Sequence, residues 1–221
     1  MVDYNSFAKT FSDSRKNMKW PEMDYFLGNI LDGESISILD IGCGNGRFLG
    51  ELKSRFSDKI TSENYLGVDL SKGLLDEAKK QYPEYNFQEL NMLDLDEIKN
   101  KFSHIFFFAS YHHLQTLEER GKVIKKTYAL LEEGGKIYMT NWALNSDFNR
   151  KRYDKSVIVG TENQFGSIDY NIKIGEFERY YHCFDISELE YLFKESGFEV
   201  IENRLFDNQR NIISIIKKTE V

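Results

Sequence analysis

The chain has 221 residues, 41% hydrophobic and 14% aromatic, enough to fill the core of one domain and little more. With 29% charged residues and aromatics spread from end to end, the composition excludes a chain disordered throughout. A net charge of −7 opposes indiscriminate binding to nucleic acid, so an RNA partner has to be met by a local basic patch.

Residues 1–33 read as a helical cap ahead of the first strand, with Tyr4, Phe7 and Phe11 and then Trp20, Met23 and Leu27 at helical spacing. This start is polar and lacks the apolar stretch of a signal peptide. No run along the chain approaches the roughly 18 apolar residues of a membrane span, so a cytoplasmic protein with no membrane partner is expected. From residue 35 onward, short apolar runs alternate with helical patterns, the mark of a parallel sheet wrapped by helices. The runs are Ile36 to Ile41, Tyr65 to Leu70, Tyr85 to Leu90, His104 to Ser110 and Lys136 to Trp142. The helical stripes between them are Phe48, Leu49, Leu52 and Phe56; then Leu74, Leu75, Ala78 and Tyr82; then Leu117, Ile124, Thr127 and Leu131.

Ser71 is placed to cap the second helix and Pro83 to close it, while Gly134 and Gly135 end the third. Residues 144–182 are mixed and aromatic, and read as an inserted flap. Asp185 and Glu188 fit a capping box ahead of Leu189, Leu192 and Phe193. Phe198 to Phe206 and Asn211 to Lys217 then form a closing β-hairpin. The expected fold is one α/β domain over 1–221, with a seven-stranded, mostly parallel sheet, a C-terminal antiparallel hairpin and helices on both faces.

Cys43 and Cys183, the only cysteines, have no CxxC or HxxxC neighbours, so they read as reduced thiols, and no metal site is expected. The sharpest motif is Asp40-Ile41-Gly42-Cys43-Gly44-Asn45-Gly46, a buried strand entering a glycine loop that opens a helix. Gly42 and Gly44 let the backbone approach a ligand with no Cβ in the way. Asp69, 23 residues after Gly46, ends the next strand and suits the two hydroxyls of a ribose. That feature alone also fits NAD. Asp40, however, would repel a pyrophosphate, whereas it can accept from the ammonium of S-adenosyl-L-methionine. Read more plainly, Asp40 braces the loop and Asp69 caps the next helix.

The sequence resembles the class I S-adenosylmethionine-dependent methyltransferases over about residues 36–218, including the antiparallel hairpin that ends the sheet. The resemblance implies S-adenosyl-L-methionine as cofactor and S-adenosyl-L-homocysteine as product. It sets Asp40, Gly42, Cys43, Gly44, Asp69, Leu70 and Ser110 along the cofactor, with Asn91, Met92 and Leu93 beside the adenine. Asn91 stands where the family usually carries an acid.

Four stretches resemble a narrower family, the tRNA methyltransferases that esterify the carboxymethyl group of a wobble uridine, including those fused to AlkB-like hydroxylases. They are Phe-Ser-x-Ser-Arg with Trp-Pro at 11–21, the glycine loop at 40–46, His112-His113-Leu114, and Arg179-Tyr180-Tyr181-His182-x-Phe184 with the following Glu188-Leu189. This likeness implies a tRNA partner and an acceptor pocket served by His112, Arg179, Tyr181 and His182. Arg15, Trp20 and His113 would contact the substrate, with Asn208 and Arg210 at the rim. Eukaryotic relatives work with a small zinc-binding activator subunit. The chain departs from that family in lacking a Pro-Trp pair after Val157-Ile158-Val159-Gly160 and in carrying Arg210-Asn211 where Asn-Trp is usual.

Basic clusters at Lys9, Arg15, Lys16 and Lys19 and at Arg150, Lys151, Arg152 and Lys155 are able to hold phosphates if they flank the pocket. Two rivals stay open: a methyltransferase of small-molecule carboxylates, amines or hydroxyls, and a non-catalytic subunit that binds the cofactor while its own aromatics fill the acceptor cleft.

Overall fold

The computed structural model describes residues 20–30, 36–174 and 177–219. Arg15 and the basic residues at positions 9–19 lie outside the described residues. Helix α1 (Pro21–Gly28) opens with proline in its first turn, where a missing N–H costs nothing, and buries Met23, Phe26 and Leu27. Then β1 (Ile38–Ile41), α2 (Arg47–Phe56), β2 (Tyr65–Asp69), α3 (Lys72–Gln81) and β3 (Asn86–Glu89) complete a first wound half. All four residues of β1 are buried, as a strand covered by helices on both faces requires.

The second half comprises β4 (Phe102–Phe108), α4 (Leu117–Leu130) and β5 (Leu131–Trp142), and after the flap α6 (Ile186–Glu195), β8 (Phe198–Leu205) and β9 (Asn211–Lys218). The sheet order is β3-β2-β1-β4-β5-β9-β8. The first five strands are parallel, and β9 runs antiparallel to both β5 and β8. This is the expected seven-stranded sheet with its terminal hairpin. The order reverses direction between β1 and β4, so their carboxyl ends flank the crevice where open α/β sheets bind ligands.

Several local expectations are corrected. Helix α4 ends at Leu130, not at Gly134 and Gly135, because Leu131 already pairs with Phe102 before the strand bulges and Lys136 pairs with His104. Leu117 is exposed, and the buried stripe of α4 runs through Arg120, Val123, Ile124 and Thr127 instead. Asp185 caps α6 by accepting from the Ser187 N–H, but Glu188 does not complete a capping box; its carboxylate is drawn into a buried ion cluster. The capping box lies at the start of α4, between Thr116 and Glu119.

Between β5 and α6, the segment expected as a flap carries a short helix, α5 (Arg150–Tyr153), and a two-stranded hairpin of β6 (Ile168–Ile174) and β7 (Phe177–Cys183). Leu144, Tyr170, Ile172, Tyr181 and Cys183 form a core of their own beneath it. The hairpin is pinned over the end of β4, where His113 Nδ1 donates to the Tyr180 carbonyl at 2.9 Å. Helix α1 closes the other side. The buried Glu22 accepts from Asn208 Nδ2 at 2.9 Å and from Asn211 Nδ2 at 2.8 Å, and the Tyr25 hydroxyl donates to Glu202 at 2.7 Å. Asn211, a departure from the narrower family, is thus half of a clamp on the cap. Among the described residues no helix is long and apolar enough to cross a membrane, and no cluster of metal-ligating side chains occurs.

Candidate active site

A single cavity of about 930 Å³ runs along the tips of β1, β2 and β4 and under the flap hairpin. Its floor is the glycine loop. Gly42 has φ +78°, and a Cβ there would lie 2.4 Å from Ser110 Cβ, so only glycine fits. Ser110 holds the loop from the other side, its hydroxyl donating to the Ile41 carbonyl at 2.6 Å. Gly44 donates its N–H to Asp69 Oδ2 at 2.9 Å, and Ser71 donates to Asp69 Oδ1 at 2.8 Å. Each oxygen keeps a further lone pair for a ligand.

A buried carboxylate, Asp40, and a half-buried one, Asp69, therefore line one end. Burial pushes Asp40 up to about 7, against the hydrogen bond of the Tyr65 hydroxyl at 3.0 Å, which favours the ionised form. Burial also raises Asp69, opposed by the Ser71 and Gly44 amides and by the charge of Arg179. An acid that burial leaves only half ionised near neutrality is completed by a cationic ligand group, and would resist a pyrophosphate. Leu70, Leu74, Leu90, Asn91, Met92 and Leu93 supply an apolar wall on the β2–β3 side, as a purine requires. The Asn91 side-chain oxygen already accepts from the Leu93 N–H at 3.0 Å, capping the turn that carries Met92 and Leu93. The Cys43 thiol is buried and pushed well above its usual range, which leaves it an inert wall of the cavity.

At the other end the chain leaves β4 through Ala109, whose φ of +52° turns the strand sharply. His112 and His113 follow. The Trp142 N–H donates to His112 Nδ1 at 3.2 Å, so His112 carries its proton on Nε2, and that N–H is buried without a partner among the described residues. His113 has the opposite tautomer: Nδ1–H donates to Tyr180, and Nε2 accepts from the Arg179 guanidinium. Burial first, and then the charge of Arg179, hold both imidazoles well below the usual histidine range. Arg179 also lies over the Tyr181 ring at 5.1 Å, and Tyr181 stacks on Trp142 with centroids 5.0 Å apart.

Trp20, at the start of the cap, contacts Phe108 and carries the Arg47 guanidinium on its ring at 5.0 Å. Arg47, Phe108 and Trp142 border the cavity without having been singled out as binding residues. Arg47 opens α2 directly after the glycine loop, and that position was the signal available for it.

The cavity brings together the cofactor-side residues with His112, His113, Arg179, Tyr181 and Trp20. Three expected residues are placed elsewhere. His182 is enclosed between Asp169 and Glu188, at 2.6 and 3.0 Å, because its strand position turns it away from the cavity. Asn208 is taken up by Glu22, and Arg210 lies over Phe148 at 4.8 Å; neither borders the cavity. Trp142 and Tyr181 form a wall and leave the acceptor end continuous with the cofactor end.

Comparison with known proteins agrees with this geometry. Residues 38–135 match the family described as "Methyltransferase domain". The tRNA (carboxymethyluridine(34)-5-O)-methyltransferase of Saccharomyces cerevisiae is 33% identical over 155 residues, 70% of this chain and 51% of that protein, so the chain spans about half its length. The dTDP-3-amino-3,4,6-trideoxy-alpha-D-glucopyranose N,N-dimethyltransferase of Streptomyces venezuelae is 26% identical over 147 residues, 66% of this chain and 59% of that one. An S-adenosylmethionine-dependent methyltransferase of Clostridium acetobutylicum has the same fold, with a TM-score of 0.70 at 18% identity, covering 98% of this chain and 99% of its own. The glycine loop that admits no side chain, the acids Asp40 and Asp69 and these likenesses converge: residues 38–135 match a methyltransferase domain, and the chain has the fold of the class I S-adenosylmethionine-dependent methyltransferases.

Proposed function

We propose that the enzyme esterifies the carboxylate of a carboxymethyl-modified wobble uridine in tRNA, in the cytoplasm. The observation that carries this reading is the acceptor end itself. It offers donors: a guanidinium fixed by His113, and a His112 Nε2–H without a partner among the described residues, beside two imidazoles whose other ring nitrogens already accept hydrogen bonds. The carboxylates that also border the cavity, Glu119 and Glu178, accept from the Gln115 and Thr116 amides and from Asn171. An ionised carboxylate fits that set and needs no deprotonation before it attacks. The name of the yeast relative supplies the acceptor.

S-adenosylmethionine supplies an electrophilic methyl for in-line displacement. Asp40 accepts from its ammonium, Asp69 from the ribose hydroxyls, and Met92 and Leu93 flank the adenine. Arg179 takes one carboxylate oxygen of the acceptor and His112 donates to the group from the side. Tyr181 and Trp142 hold the flap wall against bulk water. Together these residues align a nucleophile that is already charged, so catalysis is chiefly positioning and electrostatics.

The test is to incubate the protein with radiolabelled S-adenosylmethionine and bulk tRNA from a strain lacking its own wobble methyltransferase, with and without a zinc-binding activator subunit. Digestion then identifies the labelled nucleoside. A labelled methyl ester of 5-carboxymethyluridine is expected. Label in a metabolite extract and none in RNA would overturn the reading in favour of a small-molecule acceptor, the kind of substrate named for the Streptomyces relative.

A further inference from the structure

Phe148 is 55% exposed although it sits in a tightly fastened turn. Ser146 Oγ donates to the Gln209 carbonyl at 2.6 Å, and Asn149 Nδ2 donates to the carbonyls of Ala143 and Arg210 at 2.9 and 3.1 Å. The turn before α5 is thereby fixed to the β8–β9 turn, and the Arg210 guanidinium rests on the Phe148 ring. An apolar ring is thus held in solvent by bonds that order its backbone, with a planar cation stacked on it.

Arg150, Lys151, Arg152 and Lys155 follow on the same short stretch, all exposed. The acids among them are Asp147, in a 3.5 Å ion pair with Arg150, and Asp154. With Arg210 the patch holds five cations against two acids, on a chain whose total charge is −7. It adjoins the acceptor end. Tyr153 contacts the Trp142 ring at 6.3 Å, and the Ala143 N–H, next to Trp142, donates to the Arg210 carbonyl at 3.0 Å.

We propose that the Phe148–Arg210 pair, with Arg150, Lys151, Arg152 and Lys155, is the docking surface for single-stranded RNA flanking the nucleotide whose carboxylate enters the cavity. A base extends the guanidinium–ring stack, and the cations take the adjoining phosphates. Stacking on an aromatic tolerates any base, while phosphate contacts set register without reading sequence. This rests on the proposed tRNA substrate and adds where the strand runs.

The experiment measures binding of the full chain to an anticodon stem-loop RNA by fluorescence anisotropy across a salt series. Affinity for S-adenosylmethionine, by calorimetry, serves as the control for folding. Phe148→Ala is expected to weaken RNA binding roughly 5- to 100-fold. Lys151→Ala with Arg152→Ala is expected to weaken it and to make the salt slope shallower by about 2. Cofactor affinity stays at the wild-type value in each. If the double variant misfolds, the single exchange Lys151→Glu tests the same contact. Wild-type RNA affinity and salt slope in these variants, or no RNA binding by the wild type, overturns the surface. RNA binding that the variants abolish, in a protein that puts no label on RNA, would leave the surface standing and overturn the proposed reaction instead.

Discussion

His182 Nε2 lies 3.0 Å from Glu188 Oε2, with both side chains closed to solvent. On the other side Nδ1 lies 2.6 Å from Asp169, so each ring nitrogen is within hydrogen-bond distance of a carboxylate. Arg120 Nε is 3.1 Å from Glu188 Oε1, and the Tyr180 hydroxyl donates to Asp169 at 2.8 Å. The cluster joins α4 and α6 to the hairpin that carries Arg179. Glu188→Ala leaves Arg120 and His182 buried without their shared anion, and a loss of about 3–5 kcal/mol is expected in a denaturant titration. Retention of wild-type stability would mean that the hairpin is held by its apolar core alone.

The same cluster gives an acid limb. Burial raises Glu188, but the hydrogen bond and charge of His182 outweigh it and bring the group down to about 2 from the ordinary 4.5. A depressed carboxylate contributes stability above its unfolded value and loses it as pH falls through the folded one. The protein is therefore expected to lose stability between about pH 4.5 and about pH 2, and Glu188→Gln to flatten that limb in melts followed by circular dichroism.

Asp40 behaves in the opposite sense. Its carboxyl is pushed up to about 7 by burial, whereas the proposed contact with the cofactor ammonium requires it ionised. Affinity for S-adenosylmethionine should strengthen about tenfold between about pH 6 and about pH 8. Asp40→Asn should bind weakly and with that pH dependence removed. Calorimetry at the two pH values decides, and an unchanged slope in the variant would assign the titration to Asp69.

Gly42→Ala places a Cβ against Ser110 and keeps a left-handed backbone. Overpacking of about 1–3 kcal/mol and about 1 kcal/mol of backbone strain are expected, with cofactor binding lost. Adding Ser110→Gly relieves the first and not the second, so partial recovery of the melting temperature is the predicted signature.

Arg179→Ala should lower kcat/KM roughly 10- to 100-fold, the worth of a charge-assisted hydrogen bond. His113→Ala, which removes both the group that orients Arg179 and the hydrogen bond to the Tyr180 carbonyl, should cost about tenfold. His112→Ala should cost no more than that, and none of the three should introduce a new limb in the pH–rate profile. Activity of a histidine variant that is abolished near neutrality and returns at high pH would show that a base is needed after all, and would count against a carboxylate acceptor.

The frame of the fold was legible because strand, glycine loop and helix each leave a local mark: the apolar run Ile38–Ile41, the loop glycines, and the stripe of Phe48, Leu49, Leu52 and Phe56. What misled was long-range partnership. Glu188 fits a capping box by spacing, and only the arrival of Arg120 and His182 takes its carboxylate elsewhere. Arg120 is buried and charged, so a search for apolar periodicity passes over it and selects the exposed Leu117. His182 stands directly between Tyr181 and Cys183, yet Asp169 becomes its partner through the register of β6 on β7, which pairs the two residues directly. Local motif spacing does not encode that register.

The Glu22 clamp has a temporal consequence. Its donors, Asn208 and Asn211, follow it by 186 and 189 positions. During synthesis the helix bearing Glu22 leaves the ribosome long before either amide exists, and its acidic side chain stays hydrated until the last hairpin arrives. The polar clamp is accordingly the last contact of this helix to form, and a nascent chain halted before residue 208 would hold the helix by packing, as on Phe108 and Tyr138, without the clamp.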